Sequence, residues 1–379
     1  MNTIISTAIA QRHALHRLAE LSNQEKLTSE FVQGFVQGCK PLAIHAHLGG
    51  HGLIAEFGIK DAQPVTLFRA ELDALPIPET IDAPHASDAP FVSHKCGHDG
   101  HMAILCGIAQ HLRDHPLKRG RLALLFQPAE ETGDGCAKVM KTAVFKKLKP
   151  TTCFALHNLP GYDAGQVVVR ENLFAAASLG LIIRLHGSTS HAAEPHKGNS
   201  PTRALATLLD QLPSVPHYHA GLFDSAQVTV IHAQLGKEAF GTSPGDADIM
   251  LTLRAESDTL LDILLQTCVQ FAKSIALLHS LKCSTDVTER FPATVNDGAC
   301  VARVTSAAQR SNIPLLVTER PFAWSEDFGH MLKKCPGALF GIGAGKKHPS
   351  LHHPEYDFPD EIIEPALRIF TELLKDEHY

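Results

Sequence analysis

The stretch Ser93-His94-Lys95-Cys96-Gly97-His98-Asp99-Gly100-His101 constrains this chain more than any other. It packs three histidines, a cysteine and an aspartate into nine residues, and no other stretch is as dense in groups that bind metal or move protons. Cys96 and His98 stand two residues apart, so one loop can present sulfur and nitrogen to a pair of metals. A thiolate can bridge two borderline ions, and imidazole suits zinc, manganese, cobalt or nickel. Such a knot needs partners from elsewhere in the chain.

The flanking pattern shows how a fold could supply them. Residues 64–70 read as a buried strand that runs into Asp73. The apolar run 121–126 reads as a central strand ending on Gln127-Pro128-Ala129-Glu130-Glu131, and 151–156 as another ending on His157-Asn158. The knot itself opens a helix to about residue 113. Strands alternating with helices predict a doubly wound sheet with Asp73, Glu130, Glu131 and His157 along its carboxyl edge. Adjacent glutamates at a strand end point in different directions. One can bind metal while the other takes a proton from an activated water and passes it to a leaving amine. Cys96, His98, Glu131, His157 and one of His352 or His353 make five ligands, enough for a two-metal site.

A length of 379 residues suggests two domains. Residues 4–20 and 25–38 read as helices, the second capped by Thr28 or Ser29, with His13 and His16 as structural histidines in the first. Residues 41–58 read as short strands. From about residue 175 the character changes: strand 179–186, a loop holding His191, helix 201–212, strands 226–235 and 247–255, helix 257–279, strand 281–288. That β-α-β-β-α-β order predicts a ferredoxin-like insert. After residue 295 the α/β pattern returns, with helix 302–310, a Gly-rich strand over 337–345 and a final helix over 360–376. The expected division is a discontinuous metal-binding catalytic domain, 1–174 and 291–379, and an inserted domain, 175–290.

Composition excludes other classes. A net charge of −6 with no Lys/Arg run argues against nucleic acid. The nine cysteines form no C-x-x-C pair and no secretory signal is visible, so buried thiols in a reducing cytoplasm are expected. No apolar run approaches the roughly 18–20 residues that a membrane helix needs.

Taken together, the motifs resemble the M20 metallopeptidase family, in particular its amidohydrolase branch of hippurate hydrolases, N-acyl-amino-acid amidohydrolases and auxin-conjugate hydrolases. The matching stretches are Arg12-His13-Ala14-Leu15-His16 with Glu20-Leu21, Arg69 to Ile77, Cys96-Gly97-His98-Asp99-Gly100-His101, Gln127 to Glu131, and His157-Asn158-Leu159-Pro160. Ser190-His191-Ala192-Ala193 with Pro195, Ser325 to Phe328, and Leu351 to Phe358 complete the series, in family order over nearly the whole chain. The resemblance implies that Cys96, His98, Glu131, His157 and His352 hold two divalent ions (manganese, zinc, cobalt or nickel), with Cys96 bridging. His352 is preferred to His353 because the family pattern is Leu-His-x-Pro. Glu130 would be the general base and acid. The insert would be a lid or dimerisation domain whose His191 reaches the partner's site and stabilises the oxyanion. Asp73, Asp99 and His101 would orient ligands and loops.

One stretch departs from the family pattern. Family lids carry Phe-Asn-Val-Ile-Pro, where this chain has Phe240-Gly241-Thr242-Ser243-Pro244, and Gly241 has no side chain to hold a substrate. The expected function is a metal-dependent amidohydrolase that cleaves N-acyl amino acids or related conjugates, as a homodimer or higher homo-oligomer. The alternatives are a dipeptidase or carboxypeptidase with the same centre and, from another class, an inactive ligand-binding homologue. A degenerate binder would be expected to have lost Glu130 or one of the five ligands.

Overall fold

The computed structural model describes residues 2–379. Apolar residues at helical spacing form α1 (Asn2–Arg17), with Ile4, Ala8 and Leu15 buried. In α2 (Lys26–Gly38) the expected caps Thr28 and Ser29 lie inside the helix instead. Glu20 supplies the acceptor from outside. Its carboxylate takes the Thr28 N–H at 2.8 Å and the Thr28 hydroxyl at 3.0 Å. A carboxylate there satisfies an orphan amide and suits the positive end of the helix.

β1 (Ala43–Leu48) and β2 (Gly52–Gly58) form an antiparallel hairpin. Next come β3 (Val65–Glu71), α3 (His98–Asp114), β4 (Arg121–Gln127), α4 (Gly135–Lys141), α5 (Ala143–Leu148), β5 (Thr152–Pro160), β6 (Val167–Val169) and β7 (Asn172–Ala175). β3 is buried at every residue and β4 at all but its first, as expected for strands covered on both faces.

Ala175–Ala293 with Phe322–Glu326 forms a second compact unit. It contains β8 (Ala177–His186), β9 (Ser190–His191), α6 (Thr202–Gln211), β10 (Ala226–Leu235), β11 (Thr242–Ser243), β12 (Asp246–Ala255), α7 (Asp258–Leu278) and β13 (Lys282–Phe291). The antiparallel sheet has the order β10-β12-β8-β13. β8 and β12 alternate, burying Leu179, Leu181, Ile183 and Leu185 on one strand and Ala247, Ile249, Leu251 and Leu253 on the other. Phe322–Glu326 lies in this unit, although the sequence reading placed it in the other. Its polar backbone explains why: Ala176 N–H donates to Phe322 O at 3.0 Å, and Arg254 Nη1 donates to Ala323 O at 3.0 Å and Ser325 Oγ at 3.1 Å.

α7 also corrects an expectation. It is long and apolar enough, with a mean hydropathy of 1.4, to cross a membrane by length and composition. Here it contacts β8, β12 and β13, with Leu260, Leu261, Leu264, Cys268, Ala272 and Ala276 buried along one face.

The remaining elements, β14 (Thr294–Asn296), α8 (Gly298–Arg310), β15 (Leu315–Val317), α9 (Gly329–Leu332), β16 (Gly337–Gly345) and α10 (Ile363–His378), belong to the first unit. α8 starts four residues earlier than the sequence reading because Asp297 Oδ1 accepts the Cys300 N–H at 2.9 Å. The large mixed sheet has the order β1-β2-β4-β3-β5-β16-β6-β15, with β4, β3, β5 and β16 parallel. β16 is rich in glycine, and its Gly341 stands opposite His157 on β5. A Cβ at 341 would lie 2.1 Å from Leu159 Cδ1.

Leu264 in α7 is fully buried. Leu264→Ala should cost about 2–5 kcal/mol, read as a lower denaturant midpoint of the unit that contains it. A loss below about 1 kcal/mol would mean that this face of α7 is not packed as described.

Candidate metal centre

The carboxyl ends of β3 and β4, together with β5, converge with the N-terminus of α3. Asp73 lies two residues past β3. Glu130 and Glu131 follow β4 through a turn in which Ala129 adopts φ 51° and donates its N–H to Glu25 Oε1 at 2.8 Å. His157 is not past a strand end, as the sequence suggested, but inside β5. Gly97 sits at φ 91°, and a Cβ there would meet Asn158 Oδ1 at 2.6 Å. A glycine therefore makes the turn between Cys96 and His98 possible.

These elements bring together two groups of three donor atoms that share Cys96. One is Cys96, His98 and His157; the other is Cys96, Glu131 and His352; within each, the atoms lie within 4.8 Å of one another. Cys96 Sγ is 3.5 Å from His157 Nε2. Glu131 Oε1 is 3.8 Å from His98 Nε2 and 3.7 Å from His352 Nε2. Glu130 is buried and joins His98 and Glu131 in a third such group. Its Oε1 accepts the Asp327 N–H at 3.3 Å. His353 is exposed, with Nδ1 taking the Glu355 N–H at 3.2 Å.

The ring nitrogens indicate whether ions fit. His98 Nδ1 faces Asp73 O at 2.8 Å, and a carbonyl oxygen can only accept, so Nδ1 carries the proton. That leaves the lone pair of Nε2, which is buried without a hydrogen-bond partner. His157 repeats the arrangement, with Nδ1 donating to Asn158 O at 2.9 Å and Nε2 turned toward Cys96. Both rings thus present Nε2 in the form that binds metal. Burial opposes charge on His98, yet Asp73, Glu71 and Glu131 hold its ring up at about 10, so a divalent ion bound at Nε2 would take the place of the second ring proton. Burial and then Glu131, Glu130 and Glu71 push the Cys96 thiol well above its usual range. A pocket so short of positive charge suits divalent cations, which would draw off the thiol proton.

Asp73, Asp99 and His101 lie behind these donors. Asp73 Oδ2 accepts Ser22 Oγ at 2.7 Å and Glu131 N–H at 2.9 Å. Burial works against its charge, but the contacts with His98, Ser22 and Glu131 keep its carboxyl below the usual range. His101 uses both ring nitrogens, on Glu71 Oε2 at 2.7 Å and Asn158 Oδ1 at 2.6 Å, so neither is left for an ion. Asp99 Oδ2 meets His16 Nδ1 at 2.8 Å and Arg12 Nη1 at 3.4 Å. His191 lies in the second unit on β9, exposed, with Nδ1 accepting Ala193 N–H at 3.1 Å. Gly241, beside β11, has open space where a Cβ would project. His94 is buried with neither nitrogen bonded, and burial pushes its ring down to about 3.

Sequence reasoning gave no role to Glu71, Asn158, Asp327 or Lys95. Arg69 and Glu71, two residues apart in an apolar strand, were the available signal. Arg69 bonds Glu71, Gln127 Oε1 at 3.0 Å and Asp327 Oδ1 at 2.7 Å. Asp327, so fixed, offers its N–H to Glu130.

Residues 67–376 match the family described as peptidase family M20/M25/M40. The chain belongs to that family. N-acetyldiaminopimelate deacetylase of Bacillus subtilis (strain 168) is 30% identical over 367 residues, 97% of each chain. The Bacillus subtilis YXEP protein, a dinuclear metal binding peptidase of the M20 family, superposes with a TM-score of 0.81 at 26% identity over 98% of both chains. An aminobenzoyl-glutamate utilization protein from Klebsiella pneumoniae shares the fold, with a TM-score of 0.79 at 18% identity, covering 98% of this chain and 96% of its own. As an M20 protein this chain is a metal-dependent hydrolase of amide bonds with a dinuclear site.

His16 carries the pH dependence of the layer behind the site. Burial opposes its charge, but Asp99, then Glu79 and Asp357, outweigh it and raise the ring to about 9. A group whose folded pKa is raised stabilises fully below its unfolded value, near 6.5, and loses that contribution as pH climbs through 9. Compared with His16→Gln, the wild type should hold an extra stability on the order of 2–3 kcal/mol at pH 6 that fades by pH 10. A difference in unfolding free energy that stays flat over that range would contradict the pairing.

Proposed function

We propose that this M20 hydrolase removes the acyl group from N-acyl amino acids or related conjugates, giving a carboxylate and a free amine. The observation that carries the reading is the pair of three-donor groups sharing Cys96, with Glu130 against His98 and Glu131. In this reading Cys96, His98, Glu131, His157 and His352 hold two divalent ions. Bound there, the ions would polarise the acyl carbonyl and make a water acidic at neutral pH. Glu130 accepts the proton of that water as its oxygen bonds to the acyl carbon. Glu130 then delivers the proton to the nitrogen, so that the C–N bond breaks and a neutral amine leaves. The Asp327 N–H keeps the Glu130 carboxylate directed, Asp73 holds His98 and the Glu131 backbone, and Asn158 holds His157.

The domain assignment follows the same reading. Residues 1–174 and 291–379, less the stretches 291–293 and 322–326 that pack with the insert, form the catalytic domain, and 175–290 a ferredoxin-like lid and dimerisation domain. Its support is the β-α-β-β-α-β order and the strand order β10-β12-β8-β13. His191, exposed on β9, would enter the partner subunit's site and stabilise the oxyanion. Relatives named for N-acetyldiaminopimelate put acetylated amino acids first among the candidate substrates.

Three measurements test this. Glu130→Gln should lose turnover by a factor of about 100 or more while keeping its metal; hydrolysis at the wild-type rate would remove Glu130 from the mechanism. Chelation should abolish activity and manganese or zinc restore it, assayed by mass spectrometry on N-acetyl, N-benzoyl and longer-chain acyl amino acids with dipeptides alongside. Dipeptides as the sole substrates would turn the reading to a peptidase. Verified heterodimers of His191→Ala and Glu130→Gln chains should recover part of the activity that each homodimer lacks, and no recovery would refute action across subunits.

A further inference from the structure

We propose that Lys95 is a positioning residue for the metal centre, locking the loop that carries Cys96 and His98 to the segment that carries His352. The inference rests on the metal-centre reading above. Lys95 is fully buried, and an ammonium taken out of water is costly unless its donors are met. Nζ donates to Glu79 Oε1 at 2.6 Å and to Tyr356 O at 2.9 Å. The Lys95 main chain works in the opposite sense, its carbonyl oxygen accepting the His352 N–H at 2.8 Å. One residue therefore grips the 352–356 segment at both ends while its own peptide bond joins it to Cys96.

The grip falls where the backbone needs it. His352 sits at φ 64°, a left-handed conformation that costs a residue with a Cβ roughly 1–2 kcal/mol. The bond to Lys95 O holds it there, with Nε2 3.7 Å from Glu131 Oε1. Glu79 extends the brace. Its Oε2 meets His16 Nε2 at 2.8 Å, and His16 Nδ1 meets Asp99 Oδ2 at 2.8 Å. Lys95 and Asp99 flank Cys96 and His98, so this chain of contacts closes around the ligand loop.

The two donor groups do not depend on Lys95 equally. Cys96, His98 and His157 are placed by Asp73, Asn158 and the turn at Gly97. The second group needs Cys96 and His352, from distant parts of the chain, at a fixed separation, and Lys95 sets it. Removing its side chain should loosen the His352 group and spare the other.

Metal content by inductively coupled plasma mass spectrometry, with cobalt titrations followed in the visible spectrum, tests this on the full chain. Wild type should retain two ions after gel filtration. Folded Lys95→Met should retain one, with the other weakened roughly 10–100-fold and its share of the cobalt spectrum reduced. If Lys95→Met does not fold, Glu79→Gln decides: it removes the counter-charge of the buried ammonium while leaving the Lys95 O and Tyr356 O contacts to the 352–356 segment in place, and should weaken the same ion several-fold. Two ions at wild-type affinity in the folded variant overturn the proposal even if melting temperature falls, because Lys95 is then only structural. Equal weakening of both ions overturns it too. Fewer than two ions in wild type would instead sink the metal-centre reading, and this inference with it.

Discussion

A shortage of positive charge at one point governs the first unit. Cys96, Glu71, Glu130 and Glu131 crowd around His98 and His157 at the sheet's carboxyl edge; burial and then the carboxylates push the Cys96 thiol up, while Asp73, Glu71 and Glu131 attract the charged His98 ring and hold it up against burial. Burial sharpens the effect, because charges in a low-dielectric interior are weakly screened. The surrounding architecture answers that crowding. Carbonyl oxygens of Asp73 and Asn158 fix the imidazole protons on Nδ1, and a second layer of cations, Arg69, Arg12 and Lys95, neutralises the carboxylates behind.

That second layer is a matter of placement more than of stability. Breaking a buried ion pair is costly, yet an apolar replacement of both partners is often tolerated. Arg69, Gln127 and Asp327 therefore matter for what they aim, since Asp327 turns its N–H onto Glu130. The same holds for the layer built on Asp99, where His16 and Arg12 meet one carboxylate oxygen at the start of α3.

Much of this was legible in the chain. Continuous apolar runs marked β3, β4 and β5, because strands covered on both faces cannot alternate. The knot at 93–101 drew attention to Cys96 and His98, while His101 and Asp99 in the same knot serve contacts within the fold. The hidden parts have physical causes. Glu20 caps α2 from an adjoining turn, which no local signature announces. Short strands such as β6 and β15 gain their form from neighbours, not from propensity. Phe322–Glu326 joins the second unit through carbonyl oxygens and one serine hydroxyl, contacts that no local sequence pattern announces. Lys95 reads as an ordinary surface residue until Glu79 and the distant 352–356 segment are seen around it.

Gly341 limits how this enzyme can diversify. It faces His157 across the parallel pair, where even a methyl group would press on Leu159. A strand in that position can supply backbone hydrogen bonds but no new side chain beside the donors. Variation in what the pocket accepts must then come from loops, while the floor beneath the reacting atoms stays nearly invariant in shape. Directed evolution of substrate range would spend its mutations poorly on β16.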